Sequence, residues 1–265
     1  MNNYEKRMLA ILLEGKKIGV VAVKAEFEAE GTRVDELLRL LEVARRADVK
    51  VGLKIGGCEA IRDLIECRQF GVDYIIAPMV ETPYALRKYI AARDKVFPAE
   101  ERAEIDFLFN VETQATYRHL AEMSEIAGGD GVGMVFGRVD FAGSMGKGRD
   151  FVNSEEMIQH IEAVARAAAE RNVDLVVGGG VSAESIDALR RIRKIRLDRF
   201  ETRKVIFDAS ALDGSTIDQG LALAIEFELL WLKNKRDYYV GIGAEDESRI
   251  AMMEARRQLK VAAAR

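Results

Sequence analysis

Two short stretches of this sequence leave a carboxylate where an apolar β-type run ends. Phe109-Asn110-Val111-Glu112-Thr113 completes the run 105–111, and Val135-Phe136-Gly137-Arg138-Val139-Asp140-Phe141-Ala142-Gly143-Ser144-Met145-Gly146 completes the run 132–136. A hard divalent cation takes oxygen ligands in octahedral array. It draws one or two from protein carboxylates and leaves the rest to water and substrate. Glu112 and Asp140, on neighbouring parallel strands, can supply that pair. Taken singly, a helix cap at Glu112 and a turn at Asp140 are the commoner explanations.

Other charged residues fall into groups. Lys24, Glu26 and Glu28 share one face of a β-type run by the two-residue period. Three charges on one face are costly unless that face meets solvent or an active site. Glu201, Arg203 and Lys204 make the last run too charged for a buried strand; they line a pocket or pair with Lys24, Glu26 and Glu28. Lys54 ends a strand just before Gly56-Gly57, where backbone can approach a ligand closely; a solvated lysine is the plainer reading. Gly178-Gly179-Gly180 is either a tight turn or a set of amides for a phosphate or carboxylate. His119 and His160 lie inside helical patterns, as surface or packing residues.

These residues need strands to carry them, and the patterning supplies strands alternating with helices. After a helix at 3–14 come strand 18–28, helix 32–47, strand 49–55, helix 58–69, strand 73–80, helix 83–95 and strand 105–112. Helix 114–127, strand 132–137, helix 154–171, strand 173–178 and helix 182–194 follow, then a β-type run 199–208 and helix 216–234. Such alternation predicts an α/β fold with parallel strands and helices outside, a (β/α)8-type TIM barrel. Only seven strands are read, one short of the standard barrel. After Asn234 the composition changes. This predicts a barrel domain over 1–236 and a C-terminal helical extension over 237–265 at a subunit interface, with an apolar stripe of Ile250, Met253, Leu259 and Val261.

Val111-Glu112-Thr113 and the 137–146 loop resemble the Ile-Glu-Thr and Gly-x-x-Asp-Leu-x-x-x-Met-Gly motifs of metal-dependent class II pyruvate aldolases. That family comprises 4-hydroxy-2-oxo-heptanedioate aldolases and citrate lyase β-subunits. Gly71-Val72-Asp73-Tyr74-Ile75-Ile76-Ala77-Pro78-Met79-Val80 resembles a third family segment, so the motifs keep family order over about residues 20–185. The resemblance implies a carbon–carbon lyase or aldolase acting through the enolate of a 2-oxo acid such as pyruvate, with an aldehyde or acyl partner. Glu112 and Asp140 would hold Mg²⁺, Mn²⁺ or Co²⁺, and Lys54 stands where the family grips the pyruvate carboxylate with an arginine. Asn110 matches an amide position, and Arg138 replaces a usual proline and would bind an acidic or phosphorylated substrate. Gly137, Ser144 and Gly146 would contact substrate, in part through backbone amides. The family's catalytic histidine is missing. Glu28 falls near its place and becomes the expected proton shuttle, with Glu26 as the other choice. The family's first strand has no counterpart, and its habit of forming oligomers implies one here.

Composition bounds the rest. The 265 residues, 49% hydrophobic and 32% charged, suit one large domain with a sizeable core, and the net charge of −4 offers no basic patch for nucleic acid. No apolar run approaches the roughly 20 residues of a membrane span. With no signal-peptide pattern, and with Cys58 and Cys67 matching no metal or redox spacing, the expected setting is the cytoplasm, with both thiols free. Three other activities stay open. They are a citrate-lyase-like reaction on an acyl thioester, a Schiff-base aldolase using Lys24, Lys54 or Lys204, and a barrel serving only as a binding protein.

Overall fold

The computed structural model describes the backbone of residues 1–263 and the side chains of residues 1–259. Its centre is a closed barrel of eight strands: β1 (Val20–Glu26), β2 (Lys50–Lys54), β3 (Tyr74–Ala77), β4 (Asp106–Val111), β5 (Gly133–Gly137), β6 (Leu175–Gly178), β7 (Arg199–Glu201) and β8 (Val205–Asp208). β1 to β7 run parallel in sequence order, whereas β8 is antiparallel to both β7 and β1. The eighth strand is therefore not missing. It hides in the run 199–208, which Thr202-Arg203-Lys204 folds into a hairpin; the Thr202 amide donates to the Val205 carbonyl over 2.9 Å. Three residues cannot make the dozen-residue crossover a parallel strand needs, so β8 comes back reversed.

Inward-facing side chains stack in layers, as the two-residue period requires. At the N-terminal end Arg199 bridges Asp106 (2.8 Å) and Asp174 (2.9 Å) and lies over the Tyr74 ring. The middle is apolar, built from Ala22, Tyr74, Ile76, Leu108, Val135, Val176 and Ile206. At the C-terminal end, where active sites of such barrels lie, the residues are Lys24, Glu26, Lys54, Asn110, Glu112, Gly137, Gly178 and Glu201. Leu, Ile, Val and Phe on the outward strand faces pack under the helices in one continuous core.

The helix expected at 216–234 runs on as one helix, Ile217–Ala263. At 1.5 Å per residue its 47 residues extend about 70 Å. Phe227, Leu230 and Trp231 bury against the barrel and the N-terminal helix Asn3–Gly15, but every residue from Val240 to Leu259 is exposed. Of the expected stripe, Ile250, Met253 and Leu259 are exposed, and the side chain of Val261 lies outside the described residues. No helix among the described residues is long and apolar enough to cross a membrane.

Candidate active site

A cavity of about 280 Å³ opens at the C-terminal end of the barrel, floored by Ile76 and Val135 and walled largely by charged residues and glycines. Glu112, immediately after β4, is its most constrained member, with a side chain only 2% exposed. The Met79 amide donates to Oε1 over 2.8 Å, and Asn110 Nδ2 donates to Oε2 over 2.7 Å. Met79 holds a left-handed backbone (φ 52°), rare for a side-chain-bearing residue, and this turn of the Pro78-Met79-Val80 segment delivers its amide to the carboxylate. On β5, Gly137 leaves the carboxylate room, since a Cβ there would stand 3.0 Å from Glu112 Cβ. Burial pushes the Glu112 carboxyl above its ordinary range; Lys54 and the two hydrogen bonds oppose this, and Asp140 adds to it.

Asp140 lines the same cavity and is exposed, in the first turn of a short helix, Arg138–Ser144, where the sequence reads as a loop. Lys54 Nζ stands 3.3 Å from Glu28 and 3.7 Å from Glu112. The structure thus brings Glu28, Lys54, Asn110, Glu112, Gly137 and Asp140 to one place.

Three expected residues are elsewhere. Arg138, two positions from Asp140, faces away from it, since residues i and i+2 of a helix do not share a face. Its guanidinium is buried, donating to the Gly178 carbonyl (3.2 Å), Asn153 Oδ1 (3.0 Å) and Ser185 Oγ (3.2 Å), and burial brings its pKa down to about 10. Ser144 Oγ donates to the Phe141 carbonyl (2.7 Å) and accepts from the Gln114 amide (3.0 Å), while the Gly146 amide donates to the Gly143 carbonyl (2.9 Å). Neither lines the cavity, and the Gly146 amide is not free to hold a carboxylate.

The charged faces of β1 and β7 do meet. Lys24 Nζ hydrogen-bonds Glu201 Oε1 and lies 3.6 Å from Glu26. Burial pulls the Lys24 amine down, but Glu201 and Glu26 outweigh it and hold the amine above its ordinary value. Lys204 bonds Glu30 under the Trp231 ring and stands outside the cavity. Of the three lysines open to Schiff-base chemistry, Lys24 and Lys54 sit in ion pairs and Lys204 is out of reach. Arg149, Gly179, Gly180, Thr202 and Arg203 also line the cavity. Sequence reasoning passed over Arg149, which lies nine residues beyond Asp140 with no motif to mark it; it has no ion pair among the described residues. Two buried polar atoms on cavity-lining residues, Asn110 Oδ1 and Glu201 Oε2, have no hydrogen-bond partner among the described residues. Cys58 and Cys67 are free thiols, the second fully buried.

A family model, HpcH/HpaI aldolase/citrate lyase, matches residues 20–191, from the start of β1 to the helix after β6. The chain belongs to the HpcH/HpaI aldolase/citrate lyase family. Membership implies lyase or aldolase activity on small molecules. Similar solved structures share the barrel. An HpcH/HpaI aldolase from Desulfitobacterium hafniense DCB-2 is 18% identical with a TM-score of 0.59, over 82% of this chain and 88% of that one. The citrate synthase SbnG is 15% identical with a TM-score of 0.59, over 87% and 90%. An HpcH/HpaI aldolase/citrate lyase family protein from Burkholderia cenocepacia J2315 is 13% identical with a TM-score of 0.58, over 73% and 82%. At these identities the likeness is one of fold. Among curated proteins, none matches. The family match stops short of β7, so the hairpin that closes the barrel lies outside it.

Proposed function

We propose that this family member is a divalent-metal aldolase or lyase acting through the enolate of a 2-oxo acid such as pyruvate, with an aldehyde or acyl partner. One observation carries the reading. Asn110 turns its amide N–H onto Glu112 and leaves its own oxygen without a donor, in the cavity that Asp140 also lines. Two carboxylates and an undonated amide oxygen, with no thiol or imidazole, make an all-oxygen set that suits Mg²⁺, Mn²⁺ or Co²⁺. No cluster of three or more His, Cys, Asp or Glu placed for a metal occurs among the described residues, so water and substrate would complete the shell. When bound, the ion supplies positive charge where negative charge develops as the C3 proton leaves or the C3–C4 bond breaks.

The remaining work falls to the chain's own residues. Lys54 is paired by charge with Glu28 and Glu112, without a hydrogen bond to either, and its N–H groups reach a substrate carboxylate. Arg149, free of any ion pair among the described residues, takes a further acidic group at the mouth. Glu28, 30% exposed and held by Lys54, moves the C3 proton in place of the absent histidine. Gly137 leaves the Glu112 side chain room beside β5. On the projecting helix, Ile250, Met253 and Leu259 are covered in a homo-oligomer.

Binding of Mn²⁺ and pyruvate to the intact chain tests this reading. One Mn²⁺ per chain, and pyruvate binding that requires it, both lost in Asp140→Asn, support it. Pyruvate binding that is indifferent to metal and to Asp140 contradicts it.

A further inference from the structure

Glu201 ends β7, three strands round the barrel from the β4 strand that leads to Glu112, and lies beyond the residues the family model matches. The residue is 4% exposed yet lines the cavity. Gly178 makes its place, because a Cβ there would stand 2.8 Å from Glu201 Cγ. Lys24 holds one carboxylate oxygen, while the other, Oε2, has no partner among the described residues. A buried carboxylate oxygen without a donor costs free energy. The charge of Lys24 does not demand that cost, because Glu26 already lies 3.6 Å from the same amine. Oε2 is itself buried, at the edge of a cavity that Glu201 lines, so a small turn of a carboxylate fixed from behind by a lysine lets it accept a proton from a ligand.

We propose that Glu201 is a further catalytic residue, which takes and returns the proton of the aldol hydroxyl at C4, with Lys24 as its positioning residue. This rests on the aldolase reading above. In the cleavage direction the Glu201 carboxylate accepts the O4 proton, and the O–H electron pair becomes the new carbonyl bond. The C3–C4 bond breaks and its pair passes to the 2-oxo acid, whose C3 is then protonated from Glu28. Glu201 returns its proton to solvent as the aldehyde leaves, and Glu28 takes one up from solvent, so both carboxyl groups return to their starting states. In condensation, protonated Glu201 donates to the alkoxide. The two proton transfers thus belong to two carboxylates on separate strands.

Separate assays of the two transfers decide the matter. With Mg²⁺ present, pyruvate C3 exchange into D2O is followed by NMR, and the joining of pyruvate to acetaldehyde, glycolaldehyde or glyoxylate is followed by pyruvate loss. Glu201→Gln should lower kcat for joining by about 100-fold or more, with KM for the aldehyde and C3 exchange little changed. Glu201→Asp, which keeps the carboxylate, should recover part of kcat, and it decides the case if the glutamine variant fails to fold. Joining at the wild-type rate in Glu201→Gln would leave Glu201 only a counter-ion of Lys24. Equal loss of exchange and joining would make it a residue of cavity shape. Either result overturns the proposal, as does a wild type that exchanges C3 but joins none of the three aldehydes. A wild type that does neither overturns the aldolase reading itself.

Discussion

Asn110 gives its amide N–H to Glu112 Oε2 over 2.7 Å and keeps its own oxygen free of any donor among the described residues. The pair is asymmetric in a useful way, because turning the Asn110 amide over would present that oxygen instead. In Glu112→Gln, the new amide N–H can then donate to Asn110 while the glutamine oxygen still accepts from Met79. The substitution also removes a buried charge. The metal-free variant should unfold no earlier than wild type, with a gain of up to about 1 kcal/mol, while Mn²⁺ binding is lost. A melting temperature several degrees below wild type would count against this geometry.

Arg138 is a structural residue, so its substitution should be felt in stability rather than in substrate affinity. Its planar fork serves a carbonyl, an amide oxygen and a hydroxyl at once, which an ammonium cannot reproduce. Arg138→Lys should lose about 2 kcal/mol in denaturant unfolding with the KM for the 2-oxo acid unchanged. A raised KM at wild-type stability would return Arg138 to the substrate.

Lys24 fixes the sign of one pH effect. Its amine is held above the ordinary lysine value of 10.5 by Glu201 and Glu26 against the pull of burial. The stability it contributes is therefore fully present below 10.5 and is lost as pH rises through the raised value. Lys204 acts in the opposite sense, since burial lowers its value and the penalty on its charge is relieved as pH rises. Lys24→Met should be less stable than wild type at neutral pH, and the gap between them should narrow above pH 10.5. A gap independent of pH would remove the charge of Lys24 from the account.

Much of this was legible in the sequence because strand ends carry their chemistry in short motifs. Glu112, Asp140, Lys54 and Asn110 each sit a fixed step from an apolar run, and the structure gathers them. The charged faces of Lys24, Glu26 and Glu201 also announced themselves, since charge on a β-type run needs a partner. What failed was direction. Nothing in Arg138-Val139-Asp140 tells a loop from a helical turn, and a helical turn sends Arg138 away from Asp140. The reversed β8 was hidden because Arg199–Asp208 reads as one strand until Thr202-Arg203-Lys204 is seen to turn. Met79's left-handed backbone leaves no mark in the sequence at all.

The projecting helix gives a prediction about assembly. From Val240 to Leu259 every residue is exposed, Ile250, Met252, Met253 and Leu259 among them. A chain ending at Tyr239 should keep its fold and melting behaviour but sediment as a smaller species than the full chain. Equal sedimentation of the two would show that this segment holds no copies together.

The most direct test of the central claim is the exchange of pyruvate C3 protons into D2O, which needs no knowledge of the second substrate. Wild type with Mg²⁺ or Mn²⁺ should exchange, and chelator, Glu112→Gln or Asp140→Asn should each abolish it. Exchange that survives in both variants, or the absence of exchange with every divalent ion while the ion still binds, would contradict the assignment of Glu112 and Asp140 to enolate chemistry.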